Sequence, residues 1–184
     1  MREYTEQEQI RREKLTEISK VCNPYPDRFE KTHSLKDAKK LEDGISNVSV
    51  AGRIVFMRKM GKLSFVRIRD LEGDLQLEFK IDEVGEEGYA LLKKQIDTGD
   101  FVGATGEMFT TQTGEKTLRV KTFKFLGKAL RPLPEKFHGL SDTELKYRER
   151  YVDLISNEES REVFLGRSKF YAFVHKFLGE HGFL

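Results

Sequence analysis

The sequence is poor in the features that define several classes of protein. It contains one cysteine, Cys22, so no internal disulfide can form, and no histidine stands near it to activate the thiol. It has no long uncharged apolar run, which excludes a membrane-spanning helix. Its N-terminus, MREYTEQEQIRREKL, has no apolar signal-peptide core. We therefore expect Cys22 to be a small buried residue in a cytoplasmic protein with no membrane partner.

Residue patterns for catalysis and metal binding are also absent. The four histidines are scattered, and none has the spacing of a zinc ligand. The segments VGEEG at 84–88 and TGEK at 113–116 lack the Gly-Lys-Ser/Thr signature of a phosphate-binding loop. The sequence supports no Ser-His-Asp triad and no carboxylate pair. We therefore expect no catalytic residue, no metal and no cofactor in this chain.

Charged residues are abundant but nearly balanced in sign. The 184 residues are 35% charged and 38% hydrophobic, with a net charge of +2, which fits one domain plus an extension or two small domains. Basic residues nevertheless cluster, because segments 53–69 and 116–131 each contain six Lys or Arg and no acidic residue. Both segments have the pattern of strands, so we expect them to form one positive surface.

Residue periodicity predicts a small barrel after two N-terminal helices. Thr5 and Glu8 form a capping box for a helix that ends before NPYP at 23–26, and Ser34 caps a second helix, 35–43, that stops at Gly44. Three strands, a helix and two strands follow within about 80 residues, the element order of an OB-fold. The predicted ranges are strands 48–61, 62–70 and 75–80, helix 86–96, and strands 101–110 and 116–126.

Glycines support closure of this barrel, since those at 52, 61, 103 and 106 fit strands that bend sharply. We therefore predict an α+β fold in which N-terminal helices precede a five-stranded OB-fold β-barrel, followed by a linker and C-terminal helices. A short β-sandwich is the alternative. The predicted domains are a helical extension at 1–46, the OB-fold at 47–128, a linker region at 129–156 and a helical segment at 157–184.

Two helices are predicted after the barrel. Residues 130–142 are rich in turn formers, and Ser141 caps a helix with the sequence TELKYRERYVDLI. Asn157 caps a longer helix that stops near Gly182. The apolar residues of this longer helix form a wide stripe made of Val163, Phe170, Phe173, Val174 and Phe177.

The candidate site lies in KLSFVRIRDLEGDLQLEF at 62–79. Alternation along the strand places Val66 and Ile68 on one face and Phe65, Arg67 and Arg69 on the other. A nucleobase that stacks on such a ring contributes about 1–3 kcal/mol without sequence choice. Gln76, on the outer face of the next strand, has the donor and the acceptor needed to read a base edge. The alternatives are a surface aromatic covered by a neighbouring element and a solvated glutamine.

Arginines and one glutamate extend this site. Arg58, Arg67 and Arg69 are predicted to contact phosphates or bases, with a solvated charged face as the alternative. Arg58 shares strand parity with Ile54 and Phe56, so it reaches the outer face only if a bulge or bend intervenes near residues 59–61. The carboxylate of Glu115, at a hairpin tip, can accept a hydrogen bond from a base N–H. Together these features predict a barrel that binds single-stranded nucleic acid.

The segment KALRPLPEKFHGLSDTELKYRERYVDLISNEESREVF at 128–164 resembles lysyl-tRNA synthetases, a class II aminoacyl-tRNA synthetase family. The barrel core VAGRIVFMRKMGKLSFVRIRDLEGDLQLEF and the TGE hairpin fit the same family. The resemblance implies that the barrel binds the U-rich anticodon of lysine tRNA. It also implies that Phe65 stacks on the central base, that Gln76 reads the edge of that base, and that Arg58 and Glu115 contact the anticodon.

The resemblance has implications for the rest of the enzyme. RSKFYAFVHKFLGEHGF is similar to the helix that opens motif 1, the dimer-interface element of a class II catalytic core. The ATP and lysine motifs would follow residue 184, so the full-length protein would be a homodimeric lysine–tRNA ligase that uses ATP and Mg, and this chain alone would be inactive. A generic single-strand-binding OB protein and an aspartyl or asparaginyl enzyme are the alternatives. KFHGLSD and YVDLISNEESR favour lysine.

Overall fold

The computed structural model describes residues 3–134 and 142–183. The chain forms two compact units, Met1–Pro132 and Leu133–Leu184. The finer division predicted from the sequence, with boundaries after residues 46, 128 and 156, stays a prediction. Elements of both α and β type are present, in agreement with the predicted α+β class.

A five-stranded barrel makes up most of the first unit. Its strands are β1 (Val48–Met60), β2 (Leu63–Arg69), β3 (Asp74–Lys80), β4 (Phe101–Thr110) and β5 (Lys116–Gly127). They close in the order β1-β2-β3-β5-β4, with β3 and β5 parallel and the other pairs antiparallel. This closed sheet confirms the predicted OB-fold, and the alternative of a β-sandwich is wrong.

Two glycines allow close approach of neighbouring strands. A Cβ atom on Gly52 would stand 2.8 Å from the carbonyl oxygen of Arg69, and one on Gly106 would stand 1.9 Å from that of Arg119. No other residue fits at these distances, so both positions support the prediction that glycines help close the barrel. Gly103 instead makes room for the ring of Phe29.

A bulge in β1 determines which of its side chains face outward. Ile54 pairs with Ile68, whereas Phe56 pairs with Arg67, so one extra residue is inserted into β1 between them. After this bulge Met57 packs against the core, while Phe56 and Arg58 are exposed. The bulge predicted near residues 59–61 is therefore wrong, and so is the prediction that Phe56 shares a face with Ile54.

Helix α3 (Ile81–Lys94) connects β3 to β4 and packs against β3 and β5. It begins at Ile81 rather than at residue 86, because the chain continues as a helical turn before Gly85, where a φ of +77° produces a kink. The Tyr89 hydroxyl lies 2.8 Å from the Ser64 hydroxyl, which satisfies both groups inside the protein. The core that the barrel and this helix enclose includes Val50, Ile54, Val66, Ile68, Leu75, Leu77, Phe79, Leu92, Met108, Leu118 and Phe125.

The N-terminal helices follow their predicted caps. Helix α1 (Glu6–Val21) begins with the predicted capping box, in which the Thr5 N–H donates to Glu8 Oε2 at 2.9 Å. Cys22 at its end is partly buried against the core, and burial raises the pKa of its thiol. Helix α2 (Leu35–Ala38) is capped by Ser34 but does not run to residue 43, because the chain turns back so that the Gly44 N–H donates to Met108 of β4 at 2.8 Å.

An ion cluster joins α1, the loop after α3 and the end of β5. The Lys128 side chain is fully buried and donates from Nζ to Asp97 and Asp100, each at 2.7 Å, and Lys14 of α1 donates to Asp97 at 2.6 Å. Burial raises the pKa of Asp100 above its ordinary value despite the opposing charge of Lys128. Burial also raises the pKa of Asp97, but the hydrogen bonds and charges of the two lysines outweigh this effect and lower it overall.

The second unit contains three helices: α4 (Thr143–Arg148), α5 (Arg150–Ser156) and α6 (Glu158–Glu180). The single helix predicted over 143–155 is therefore wrong, since Glu149, with φ of −115° and ψ of 50°, separates α4 from α5. The predicted cap Ser141 lies outside the described residues, and Asp142 caps α4 by accepting from the Glu144 N–H at 2.7 Å. Asn157 caps α6 as predicted.

Helix α6 carries the predicted apolar stripe. Val163, Phe170 and Phe173 are exposed in the structure, and the rings of Phe173 and Phe177 lie 6.1 Å apart. The helix ends at Glu180, two positions before Gly182, whose φ is +81°. Within the described ranges, no helix has the length and apolar character needed to cross a membrane.

Candidate nucleic-acid interface

The outer face of the barrel carries a cavity of about 580 Å³. Its position follows from strand alternation, because Val66 and Ile68 are fully buried whereas Phe65 is partly exposed. Phe65 on β2, Gln76 on β3 and Arg58 on β1 all line this cavity, so three predicted site residues lie together. The full lining is Phe56, Arg58, Leu63, Phe65, Gln76, Glu78, Phe109, Thr111, Gln112 and Thr113.

The amide of Gln76 is held in one orientation by Thr117. Gln76 Nε2 donates to Thr117 Oγ1 at 3.0 Å, and the Thr117 hydroxyl donates in turn to the Glu115 carbonyl oxygen at 3.1 Å. With the Thr117 hydroxyl donating to Glu115, its oxygen accepts, and this hydrogen-bond network assigns the nitrogen and not the oxygen of the amide to the Thr117 side. Gln76 therefore keeps its carbonyl oxygen and one N–H for a ligand.

The predicted residues Arg67, Arg69 and Glu115 lie beside the cavity and do not line it. Arg67 bridges two carboxylates, Glu115 at 3.0 Å and Asp74 at 3.5 Å, and Arg69 lies 3.8 Å from Asp74. The β4–β5 turn that carries Glu115 is thereby tied to β2. Burial raises the pKa of Asp74, but Lys39, Arg67 and Arg69 outweigh this effect and lower it overall. Arg67 is thus placed to position the turn.

The two basic segments do not form one uniformly positive surface. Arg119 pairs with Glu78 at 3.1 Å, Lys116 pairs with Asp43 at 2.7 Å, and Lys128 is buried. Arg58 differs from these residues, because it is exposed and makes no ion pair or hydrogen bond with the residues that the structure describes. Among the described residues that line the cavity, Arg58 is therefore the cation that no carboxylate pairs.

The sequence did not point to two of the rings that line the cavity. Phe56 is 45% exposed and Phe109 lies beneath Arg119, whose guanidinium carbon is 4.4 Å from the ring centroid. Regular alternation predicted that Phe56 faces inward, and the bulge reverses this direction. Phe109 was not predicted because it lies on β4, far from residues 62–79 in sequence. Glu78 also lines the cavity, where it is 6% exposed.

The arrangement is suited to binding a planar, hydrogen-bonding ligand. It combines aromatic rings, a fixed amide and one available guanidinium, the combination that single-stranded nucleic acids require. In the described part of the chain, no group of three His, Cys, Asp or Glu residues is placed to hold a metal ion.

Comparison with known proteins agrees with this chemistry. Residues 48–126 match the model of the tRNA anti-codon family, an OB-fold nucleic acid binding domain. The chain is 43% identical to the lysine–tRNA ligase of Lysinibacillus sphaericus, 45% to that of Carboxydothermus hydrogenoformans and 46% to that of Thermoanaerobacter pseudethanolicus. Each match covers 99% of this chain but only 37–38% of the relative. The chain is thus a homologue of the N-terminal part of lysine–tRNA ligases, with an OB-fold nucleic acid binding domain at residues 48–126.

Proposed function

We propose that the barrel binds the anticodon of lysine tRNA, with the central anticodon base stacked on Phe65 and its edge read by Gln76. The observation that carries this proposal is the fixed amide of Gln76 beside a partly exposed ring in one cavity. Stacking supplies affinity for any base, so identity must be read by hydrogen bonds at the base edge.

The fixed amide complements uracil. Uracil presents an N3–H donor next to a carbonyl acceptor, whereas cytosine presents an N3 acceptor next to an amino donor. The Gln76 carbonyl oxygen accepts from the uracil N3–H while its remaining N–H donates to the adjacent carbonyl. Against cytosine in the same stacked position, the same orientation sets donor against donor and acceptor against acceptor. The U-rich anticodon of lysine tRNA therefore fits this site.

The charged residues have supporting roles in this proposal. Arg58, exposed at the cavity, contacts the anticodon backbone or a base. Arg67 holds Glu115 through Oε1 at 3.0 Å, which presents the carboxylate to a base N–H donor of a second anticodon nucleotide. Arg69, which lies 3.8 Å from Asp74, helps to hold this carboxylate beside Arg67 at the edge of the site.

Titration with anticodon stem-loops tests the proposal. A loop with three uridines and a loop with cytidine at the central position are compared against the wild-type protein, and we expect tighter binding of the uridine loop. Phe65→Ala should weaken binding of the uridine loop by about 1–3 kcal/mol, because it removes the stacking ring. Phe101→Ala is the matched control, since Phe101 is 39% exposed on the same barrel but does not line the cavity. Equal affinity of the wild type for both loops would refute base reading.

The generic single-strand-binding protein is the competing function. It predicts equally tight and strongly salt-dependent binding of plain oligonucleotides without a stem. Plain oligonucleotides of the loop sequence and of scrambled sequence therefore belong in the same titration. An aspartyl or asparaginyl relative predicts preference for a stem-loop with a different anticodon, which the same assay detects.

For the whole protein we propose ATP-dependent charging of lysine tRNA, the activity named for the relatives. The chain spans 38% of the length of two of these relatives, so ATP and Mg are proposed cofactors of the complete enzyme and not of this chain alone. The exposed aromatic stripe of α6 supports a proposed homodimer, because class II enzymes associate through a motif 1 helix of this kind. A cytoplasmic location is proposed with the same activity.

A further inference from the structure

A carboxylate lines the proposed nucleotide cavity, and no part of the proposed function uses it. Glu78 follows Gln76 by two positions on β3, so the two side chains share the outer face, roughly 6–7 Å apart along the strand. Glu78 also pairs directly with Phe65 across β2 and β3. Although this face points outward, Glu78 is only 6% exposed and lines the cavity. A carboxylate this deeply buried is destabilising unless hydrogen bonds satisfy it.

Only one oxygen of this carboxylate has partners in the described part of the chain. Glu78 Oε1 accepts from Arg119 Nε at 3.1 Å and lies 3.3 Å from Lys80 Nζ. Arg119 is held in turn by Phe109, whose ring centroid is 4.4 Å from the guanidinium carbon. Glu78 Oε2 accepts no hydrogen bond from a described residue. Among these residues, the single buried side-chain polar atom without a partner is Arg12 Nε, so Oε2 is not closed off and faces the cavity that Glu78 lines.

The open oxygen determines which ligand groups can lie beside it. An ionised carboxylate only accepts hydrogen bonds, so it repels phosphates and the carbonyl oxygens of a base and binds an O–H or N–H group. A uridine offers two such donors, the N3–H of the base and the 2′-hydroxyl of the ribose. In the proposed complex the N3–H donates to Gln76, and the 2′-hydroxyl remains for a second acceptor.

The order of residues along β3 places this second acceptor on the ribose side. In a pyrimidine, the nitrogen that carries the sugar lies across the ring from the edge that Gln76 reads. A base stacked on Phe65 with this edge toward Gln76 therefore directs its ribose away from Gln76. Glu78 is the next outward side chain of β3 and flanks Phe65 directly, so its open oxygen lies beside the stacked nucleoside.

We propose that Glu78 accepts a hydrogen bond from the 2′-hydroxyl of the nucleotide whose base stacks on Phe65, with Oε2 as the acceptor. This inference rests on the proposed anticodon binding and deepens it, because the contact selects RNA over DNA at that nucleotide. Arg119 and Lys80 are positioning residues in this contact. They hold Oε1 and offset the repulsion between the carboxylate and the RNA phosphates.

Stem-loops with 2′-fluorouridine at the central anticodon position test the inference. Fluorine keeps the sugar pucker of RNA but cannot donate a hydrogen bond. The wild type should bind this loop about 10- to 150-fold more weakly than the unmodified loop, the range for one hydrogen bond to a charged group. In Glu78→Leu the substitution should change affinity by less than about twofold, since the acceptor is gone. In Glu78→Gln, whose amide oxygen is uncharged, it should weaken binding by about 2- to 12-fold.

Arg119→Gln is the matched control, because it removes the cation that pairs with Glu78 and leaves the carboxylate in place. This variant should remain sensitive to 2′-fluorouridine by at least about 10-fold. If Glu78 served only to pair with Arg119, Glu78→Leu and Arg119→Gln would instead lose the sensitivity alike. Thermal unfolding of each variant verifies that the barrel is folded, and Glu78→Gln, which preserves the size of the side chain, decides the question if Glu78→Leu does not fold.

The possible outcomes separate the inference from the function on which it rests. If the wild type prefers the uridine loop over the cytidine loop but binds the 2′-fluoro loop equally well, the ribose contact is refuted and the anticodon proposal stands. The contact is also refuted if the loss persists undiminished in both Glu78 variants, or if it arises only when a neighbouring nucleotide carries the fluorine. If Glu78→Leu instead removes the effect of N3-methylation at a neighbouring uridine, the carboxylate binds a base and not the ribose. If the wild type binds the uridine and cytidine loops equally, the anticodon proposal itself fails.

Discussion

The hydrogen bond from Gln76 to Thr117 makes a specific prediction about base discrimination. In the wild type, turning the Gln76 amide over would bring its carbonyl oxygen against the oxygen of Thr117, whose proton is donated to Glu115 at 3.1 Å. The flipped amide is the orientation that complements cytosine. Thr117 therefore acts as a positioning residue, because it penalises the orientation that would accept the wrong base.

The magnitude follows from the bond that flipping breaks. One neutral hydrogen bond contributes about 0.5–1.5 kcal/mol net, and this is the free energy that opposes the flip. In Thr117→Val the amide turns without this cost, so a loop with central cytidine should bind about 2- to 12-fold more tightly than it binds the wild type. Binding of the uridine loop should change by less than about twofold, since its preferred orientation remains accessible.

The assay is a titration of both loops against wild type, Thr117→Val, Gln76→Ala and the double variant. Gln76→Ala should lose discrimination whether or not Thr117 is present, because Thr117 acts only through the amide. Thr122→Val is the control for loss of a threonine hydroxyl from the same strand, and because Thr122 is exposed whereas Thr117 is buried, thermal unfolding of both variants verifies that the barrel stays folded. The Glu115 carbonyl retains the Thr111 N–H at 3.0 Å, so the turn should remain ordered in the variant.

Unchanged cytidine binding by a folded Thr117→Val variant would refute the positioning role of Thr117. Equal weakening of both loops would also refute it, since that result would indicate a general distortion of the face and not a freed amide. Additive losses in the double variant would show that Thr117 acts on discrimination by a route other than Gln76.

Two further predictions concern the buried ion cluster. Lys128→Met should lower the free energy of unfolding by about 3–5 kcal/mol in urea titrations, because it leaves the buried carboxylate of Asp100 without its lysine partner. An unchanged stability would contradict the structural role of this pair. Asp97 has a folded-state pKa below its ordinary value, so its contribution is present above about pH 4 and is lost as the pH falls through the folded pKa. The stability difference between wild type and Asp97→Asn should therefore shrink between pH 7 and pH 3, and a difference that grows on acidification would reverse the assigned sign.

Local alternation was sufficient to predict the central part of the site. Phe65 and Gln76 lie within short, regular strands joined by a tight turn, where side-chain direction follows directly from residue spacing. The order of strands and helix then predicted the barrel, because few folds place three strands, a helix and two strands in so short a chain. The roles of Phe65 and Gln76 in binding remain predictions.

Features that depend on contacts between distant segments could not be predicted in this way. The bulge before Phe56 arises from the pairing of β1 with β2, and nothing in the local pattern marks it. The pairing of Arg67 with Glu115 joins residues 48 positions apart, so the sequence suggested two independent ligand contacts where the structure has an ion pair. Similarly, propensity favours one helix over 143–155, but the backbone breaks at Glu149.

The extra residue in β1 has a consequence for how this strand can change in length. Val55 stands between Ile54, which pairs with Ile68, and Phe56, which pairs with Arg67. A strand shortened by Val55 would still alternate with Ile54 inward and Phe56 outward, so the identity of the exposed side chains does not require the insertion. The shorter strand would lose its local bend. It would therefore also lose the change of direction between the half of β1 that pairs with β4 and the half that pairs with β2. Removing a residue after the bulge, such as Met57, would instead exchange the inner and outer faces of everything that follows in β1.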